Sequence, residues 1–205
     1  MLRIKLTLLT LIISACATVS NSDVILLDSK PINDKSEKIV ESQLNETPID
    51  IWERIRRELT IKIPDDQIAA TSIYRERLYK NQSAVNRISK SGQRYLFHTL
   101  SRAQELDLPV ELALLPFVES EFDPYAKSVD GATGIWQFMP ATGKEWGLKS
   151  NWWYDGKKDV LASTEAALKF LSYLHQKFDE DWLLAMAAYN TGPSRVNRAI
   201  RKNKM

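Results

Sequence analysis

The chain has 205 residues, of which 44% are hydrophobic and 26% charged, and this composition is typical of a soluble folded protein rather than a disordered or fibrous one. Its formal net charge of +2 comes from Arg3 and Lys5, the only charged residues among the first 15, so the rest of the chain is neutral. Charge therefore gives no indication of a nucleic-acid-binding protein or of one that binds an anionic membrane surface.

The first 16 residues are typical of a secretory signal. Arg3 and Lys5 precede an apolar run, residues 6–13, that is too short to span a bilayer, and small residues precede Cys16. The sequence from Ile13 to Cys16 resembles a bacterial lipobox, which predicts a lipoprotein signal peptide over residues 1–15 and a lipid anchor at Cys16. An ordinary signal with a chance cysteine is the alternative.

The cysteine count favours lipidation. Cys16 is the only cysteine in the chain, so it has no intramolecular disulfide partner, and acylation is the simplest account of a lone thiol in an exported protein. Ala17 follows where an aspartate would indicate retention in the inner membrane. We therefore expect an outer-membrane lipoprotein on the periplasmic side of the cell envelope, held to the membrane through Cys16.

Two helical stretches follow a polar segment. Residues 16–47 are rich in Ser, Asn, Asp and Lys, and we expect them to form a flexible tether behind the lipidated cysteine. Apolar residues at helical spacing then predict a helix from about residue 49 and another over residues 93–106. The residues that carry these two stripes are Ile51, Ile55 and Leu59, then Leu96, Leu100 and Ala103. Residues 48–107 are thus predicted to be an N-terminal helical region.

Residues 108–205 are predicted to be a second, mainly helical domain. One helix should begin at Pro109 and end before Pro124, because proline suits a first helical position and disfavours helix in the residue before it. Two loops containing glycine and aromatic residues follow, and then helices are expected over residues 159–178 and 181–190 and from Pro193 onward. Since no stretch alternates as a strand would, the fold class is predicted to be mainly α.

Three carboxylates end an apolar run in "LALLPFVESEFDP", residues 112–124. A turn of about 100° per residue places Glu119 in an apolar arc of the helix. Glu121 has apolar neighbours on the other side, so periodicity favours Glu119 without excluding Glu121, and Asp123 is most simply a helix-end residue. Apolar surroundings disfavour a charged carboxyl and keep a proton donor available near neutral pH. A solvated or capping glutamate is the alternative.

Aromatic rings and amides lie close to these carboxylates in the sequence. Trp136 and Gln137 follow a loop with two glycines, and an aromatic face beside an amide suits a sugar, although core packing is the alternative for any tryptophan. Tyr189 and Asn190 stand at a predicted helix end, where capping is the alternative. The two histidines and the one cysteine form no pattern of metal ligands, and neither a metal nor a cofactor is expected.

Together these residues resemble the lytic murein transglycosylases that carry a soluble-lytic-transglycosylase domain, and most of all their membrane-bound D type. The resemblance lies in "VES" at 118–120, "GATGIWQ" at 131–137 and "AAYNTG" at 187–192. It implies a goose-lysozyme-like helical domain that cleaves the β-1,4 bond between N-acetylmuramic acid and N-acetylglucosamine in peptidoglycan strands, without water, to give 1,6-anhydromuramoyl products.

The resemblance also implies roles for individual residues. The family's catalytic acid corresponds to Glu119, which acts as an acid and then as a base, so that no metal or cofactor is needed. Ser120 corresponds to a polar orienting residue, Gln137 to a substrate hydrogen bonder, and Tyr189 with Asn190 to residues that line the cleft. Trp136 is the aromatic residue that we expect beside the sugar.

The sequence departs from the family's pattern after the Tyr-Asn motif. Family members continue with more helix, including a further tyrosine, and the D type usually adds peptidoglycan-binding LysM modules; neither is found here, so we expect a catalytic domain that is incomplete at its C-terminus. Two alternatives stay open. One is a lysozyme-like muramidase, for which Asp130 and Asp155 are candidate second acids, and the other is a truncated, non-catalytic peptidoglycan-binding lipoprotein.

Overall fold

A computed structural model of the protein describes residues 50–64, 68, 72, 76 and 79–203, and within them the fold is mainly α, as predicted. The predicted signal peptide, Cys16 and the tether lie outside the described residues. None of the described helices is both long and apolar enough to cross a membrane. We number the α-helices in chain order: α1 Ile51–Glu58, α2 Gln82–Gly92, α3 Leu96–Glu105, α4 Leu115–Ser120, α5 Pro140–Glu145, α6 Val160–Lys177, α7 Trp182–Thr191 and α8 Pro193–Asn203.

Helix α6 is the central element of the fold, with α7 packed against it. Each of these two helices begins at an aspartate whose side chain accepts a hydrogen bond from a backbone N–H in the first turn. The Asp159 carboxylate accepts from Ala162 N at 2.9 Å, and the Asp181 carboxylate accepts from Leu184 N at 2.9 Å. Such caps satisfy amides that have no partner inside the helix, and each stabilises its helix by about 1 kcal/mol. The predicted starts of both helices are confirmed.

The N-terminal helices share one core with the domain that follows. Ile55 of α1 and Leu100 of α3 are buried in the same cluster as Leu112 and Leu168. An ion pair from Arg102 Nε to Glu165 Oε2, 2.6 Å long, also joins α3 to α6. The buried side chains therefore do not separate at the predicted boundary between residues 107 and 108.

We expected one continuous helix from Pro109 to just before Pro124, and this prediction is wrong. The segment is divided into two helices, and the second ends earlier than expected. A 3-10 helix, Val110–Leu114, comes first, and α4 then ends at Ser120. Glu121 and Phe122 follow in the left-handed conformation, with φ of 52° and 59°. Non-glycine residues adopt this conformation only where the surrounding structure imposes it. Because the helix is broken in this way, the regular helical wheel does not extend across the whole segment.

Candidate active site

Glu119 lies in the last turn of α4, directly before the chain reverses. The reversal is held by Phe122, which is buried, donates its backbone N–H to Pro116 O at 3.1 Å and packs its ring edge-on against Phe117 with the centroids 4.6 Å apart. Phe117 in turn contacts the Trp52 ring of α1 at a centroid distance of 5.5 Å. Aromatic packing therefore fixes the end of the helix that carries Glu119, whose own side chain is half-buried.

Asn190 is the residue that the fold brings to Glu119. Asn190 Nδ2 donates a hydrogen bond of 3.1 Å to Glu119 Oε1, although the two residues are 71 positions apart. Asn190 stands in the last turn of α7, which ends at Gly192 with φ of 87°. The neutral amide of Asn190 therefore orients the Glu119 carboxyl across the contact between α4 and α7.

Tyr189 lies beside this pair and points to the neighbouring loop. Its hydroxyl donates to Trp136 O at 2.8 Å, and its ring contacts the ring of Phe170 at a centroid distance of 5.5 Å. Burial, together with the nearby charge of Glu119, raises the pKa of Tyr189 well above its ordinary value. The phenol therefore stays neutral and keeps its hydrogen for the carbonyl.

Ser120 fastens the loop at residues 131–138 to α4. Its hydroxyl donates to Ile135 O at 2.9 Å, and the same loop closes on itself through the two bridging hydrogen bonds between Thr133 and Phe138. At Gly134, φ is 82° and an added Cβ would lie 1.8 Å from Lys157 O, so only glycine fits this close approach. The four segments that form the candidate site are thus α4, this loop, the loop that contains Lys157, and the end of α7.

The structure corrects the prediction for Trp136. The ring is fully buried, and its Nε1 donates to Thr164 Oγ1 on α6 at 2.9 Å, so neither face of the indole is available to a sugar. A tryptophan between glycines is compatible with either core or surface, and here the core wins because α6 supplies both apolar neighbours and a hydroxyl acceptor. Gln137 holds the same loop, since its Nε2 donates to Gly134 O at 2.9 Å. Its contact with a substrate stays a prediction.

The other acidic residues have different partners. Glu121 forms a two-pronged ion pair with Arg87 on α2, with distances of 2.9 and 3.1 Å. Asp123 accepts from Tyr125 N at 2.8 Å in the turn after the reversal, three residues beyond the end of α4 rather than at the helix end that we expected. Asp130 lies exposed in a turn.

Asp155 is held in a different network. Its Oδ1 accepts from Lys157 Nζ at 2.6 Å and from Ser150 Oγ at 2.8 Å. Burial acts to raise the pKa of Asp155, but the hydrogen bonds from Lys157 and Ser150 outweigh it, and the pKa lies below its ordinary value. Asp155 is therefore an ion-pair partner within its own loop rather than a group poised to exchange protons.

Glu111 is a buried carboxylate that the sequence patterns did not single out. Its side chain is 2% exposed, and Oε1 accepts from the backbone amides of Thr60 and Ile61, each at 2.6 Å. It therefore ties the segment after α1 to the 3-10 helix that leads into α4 and Glu119. No signal in the sequence marks it, because the amides it binds belong to a distant segment without regular structure.

Within the described residues, no group of three or more His, Cys, Asp or Glu side chains could hold a metal ion.

Comparison of the sequence with known proteins finds a family match and related chains. The model of the transglycosylase SLT domain matches residues 97–205. The membrane-bound lytic murein transglycosylase D of Escherichia coli K12 is 41% identical over 155 residues, which cover 76% of this chain and 34% of that protein.

Two further relatives match shorter stretches of this chain. A putative tributyltin chloride resistance protein of Alteromonas sp. strain M-1 is 46% identical over 118 residues, 57% of each chain. The soluble lytic murein transglycosylase of Salmonella typhimurium is 31% identical over 108 residues, which cover 49% of this chain and 16% of that protein. The chain spans about a third of the length of the D-type relative that it matches.

Proposed function

The chain belongs to the transglycosylase SLT domain family, and on that premise we propose that it is a lytic transglycosylase acting on peptidoglycan. The bond cleaved is the β-1,4 bond between N-acetylmuramic acid and N-acetylglucosamine, and the product carries a 1,6-anhydromuramoyl end. Glu119 is the catalytic residue. The observation that carries the proposal is the hydrogen bond from Asn190 to Glu119 within the segments that the family match covers.

The reaction uses one carboxyl twice. Protonated Glu119 gives its proton to the glycosidic oxygen, the bond from that oxygen to C1 of the muramoyl sugar breaks, and the N-acetylglucosamine unit leaves with a 4-hydroxyl. The 2-acetamido group of the muramoyl sugar stabilises the positive charge that develops at C1. The Glu119 carboxylate then takes the proton of the 6-hydroxyl, whose oxygen bonds to C1 and closes the 1,6-anhydro ring. Water does not enter, and Glu119 is protonated again at the end.

The contacts of the two carboxyls support Glu119 over Glu121 for this role. Glu119 accepts a hydrogen bond from Asn190 of α7, so it lies where two separate segments of the domain meet. Glu121 is engaged by Arg87 in a two-pronged ion pair, and its side chain is 44% exposed.

A hydrolytic mechanism would need a second carboxylate besides Glu119. Retaining and inverting hydrolases both need one, either as a nucleophile or to activate water. Asp155 is held by Lys157 and Ser150, which supports the mechanism with a single carboxyl. Hydrolysis by a muramidase remains the alternative that the product distinguishes.

Four residues have supporting roles in this proposal. Asn190 orients the carboxyl, and Tyr189 fixes the end of α7 against the loop at residues 131–138 through Trp136 O. Ser120 fixes the same loop to α4 through Ile135 O. Gln137 stands on that loop, where we expect its amide to contact the sugar.

The location follows from the substrate and the N-terminal pattern. We expect the protein at the periplasmic face of the outer membrane, anchored by a lipid on Cys16, where it would meet peptidoglycan strands. Cys16→Ser should move the protein from the membrane fraction to the soluble periplasmic fraction. A variant that stays with the membrane would contradict the anchor but not the reaction.

The product of digestion tests the proposed function. Purified sacculi are incubated with the full chain, and the released muropeptides are analysed by mass spectrometry. Anhydromuropeptides, lighter by one water than the reducing-end species, are the expected products. Reducing-end muropeptides would instead establish a muramidase, and retention on sacculi with no release would establish a binding protein.

A further inference from the structure

Two tryptophans stand exposed on the loop between α5 and α6. Trp152 is 87% exposed and Trp153 is 70% exposed, whereas Trp136 is fully buried. Tryptophan is highly buried on average, because its ring removes a large apolar area from water when it packs. These two rings therefore contribute almost nothing to the core of the described chain.

The tip of this loop is held in one shape by its own backbone and side chains. Asn151 Oδ1 accepts from Trp153 N at 3.1 Å and from Tyr154 N at 2.8 Å, and Asn151 N donates to Tyr154 O at 2.8 Å. The Trp152 ring packs edge-on against the Trp153 ring, with centroids 4.5 Å apart and planes at 79°. The pair is thus presented to solvent by a fixed scaffold.

The base of the loop contains an ion pair between a buried lysine and a half-buried aspartate. Lys157 is only 9% exposed, and its Nζ lies 2.6 Å from Asp155 Oδ1 and 3.3 Å from Ser150 Oγ. Gly156 N donates to Lys149 O at 2.8 Å and closes the loop below its tip. Burying an ammonium is costly unless it is paired and hydrogen-bonded, as Lys157 is here. The pair fixes the shape of a loop whose tip does not contribute to the hydrophobic core. Rigid loops that display aromatic residues are typical of binding sites, because a loop that is already ordered loses little conformational entropy when a ligand binds.

The loop is joined to the candidate active site. Lys157 O lies so close to Gly134 that no Cβ fits between them, and Ile135, the next residue, holds the Ser120 hydroxyl on α4. At the far end of the loop Lys158 Nζ lies 6.0 Å from the centroid of the Tyr125 ring, which is itself 76% exposed. The loop that carries the exposed tryptophans is therefore joined, through the loop at residues 131–138, to the helix that carries Glu119.

We infer that Trp152 and Trp153 form a second binding site, a platform for peptidoglycan strand beyond the bond that is cleaved. The inference rests on the proposed function for its substrate class. Indole faces pack well against the C–H faces of pyranose rings, and the exposed Lys149 and Lys158 can pair with the carboxylates of stem peptides. A peptidoglycan glycan strand is a long polymer. A strand bound at Glu119 therefore extends beyond the cleaved bond and can contact the loop that carries Trp152 and Trp153.

Sedimentation with sacculi tests the platform. The full chain carries Glu119→Gln to prevent digestion, and Trp152→Ala with Trp153→Ala is compared with Phe97→Ala, which removes a 63% exposed ring from α3. The paired tryptophan variant should bind sacculi at least about tenfold more weakly, because truncation of an aromatic hot spot commonly costs more than this factor. The Phe97 variant should bind like the parent.

A conservative variant separates ring contact from loop shape. Trp152→Phe with Trp153→Phe keeps two aromatic faces and should recover part of the binding, and circular dichroism should show the same helix content in all variants. Equal binding by the alanine pair and the parent, or failure of the parent to sediment with sacculi, would overturn the platform. The platform would also be overturned if the alanine pair bound sacculi like the parent but bound vesicles of phosphatidylethanolamine and phosphatidylglycerol more weakly than the parent. That result would assign the rings to a lipid surface.

The two proposals fail in different ways. Tryptophan-dependent binding without release of anhydromuropeptides by the chain with intact Glu119 would refute the reaction and keep the platform. Release of anhydromuropeptides together with tryptophan-independent binding would refute the platform and keep the reaction.

Discussion

Replacing Glu111 by alanine should destabilise the protein strongly. The carboxylate is 2% exposed, and its Oε1 is the acceptor for the amides of both Thr60 and Ile61 at 2.6 Å. Without it, two amide donors lose their partner at the junction between the α1 segment and the 3-10 helix. A hydrogen bond to a charged group contributes roughly 1.5–3 kcal/mol, and because Thr60 is exposed, water can replace much of its share, so the loss should be about 2–4 kcal/mol. Since domains are typically stable by about 5–15 kcal/mol, such a loss is a large share of the total.

Urea unfolding of the full chain at neutral pH, followed by circular dichroism, measures this loss. Glu105→Ala is the matched control, because that side chain is 61% exposed and lies on the neighbouring helix α3. The control should change the free energy of unfolding by no more than about 0.5 kcal/mol, as is usual for a surface position. Glu111→Gln keeps one acceptor oxygen, so its loss should fall between the two.

The result that refutes this reasoning is a Glu111→Ala variant no less stable than the Glu105→Ala control. The amides of the α1 segment would then find other partners without cost, and the carboxylate would not fasten that segment. A second readout is limited proteolysis, in which the Glu111→Ala variant should be cut within residues 50–64 sooner than the control. Equal rates of cutting in that segment would also argue that Glu111 does not hold it in place.

Three further predictions concern the loop, the helix contacts and pH. Tyr189→Phe removes the hydrogen bond to Trp136 O and should cost about 1–2 kcal/mol of stability and slow the clearing of a sacculus suspension; unchanged stability and rate would contradict this. Gly134→Ala should lower the melting temperature far more than Gly131→Ala, because both have positive φ but only the first meets a backbone oxygen; equal shifts would remove the argument from close approach. Hydrogen bonds from Arg102 and Lys169 lower the pKa of Glu165 to about 2. The stability that Glu165 contributes is therefore full above pH 4.5 and is lost as the pH falls through 2. Urea unfolding should show the stability difference from Glu165→Gln shrinking on acidification, and a difference that widens would contradict this.

Sequence periodicity predicted the helices with strong local signals. Helices α6 and α7 begin after aspartate caps and carry regular apolar faces, so their starts were predicted to within a residue. Helices α2 and α5 were missed. Helix α5 has only six residues, with little apolar periodicity to detect.

The end of α4 could not be predicted from local preferences. Glu121 and Phe122 adopt a left-handed conformation that such residues avoid by themselves. It is held by contacts from elsewhere in the chain, the Arg87 ion pair and the packing of Phe122 on Phe117. Only the tertiary structure contains these contacts.

The candidate site was predicted unevenly for the same reason. Helical periodicity favoured Glu119, and the family resemblance pointed to both Glu119 and Asn190, but the hydrogen bond between them depends on how α4 and α7 pack. Trp136 was misplaced, because a tryptophan in a glycine-rich loop carries no local signal that separates core from surface. Among the described tryptophans the exposed ones are Trp152 and Trp153, and only the structure distinguishes them from the buried Trp136.

The most direct test of the account compares Glu119→Gln with Glu121→Gln and the unchanged chain on purified peptidoglycan, with anhydromuropeptide release followed by mass spectrometry. The two variants make the same chemical change two residues apart, at the carboxyl held by Asn190 and at the one paired with Arg87. The account predicts that Glu119→Gln releases none while Glu121→Gln releases them at a rate within a few fold of the unchanged chain. Undiminished release by Glu119→Gln would contradict it.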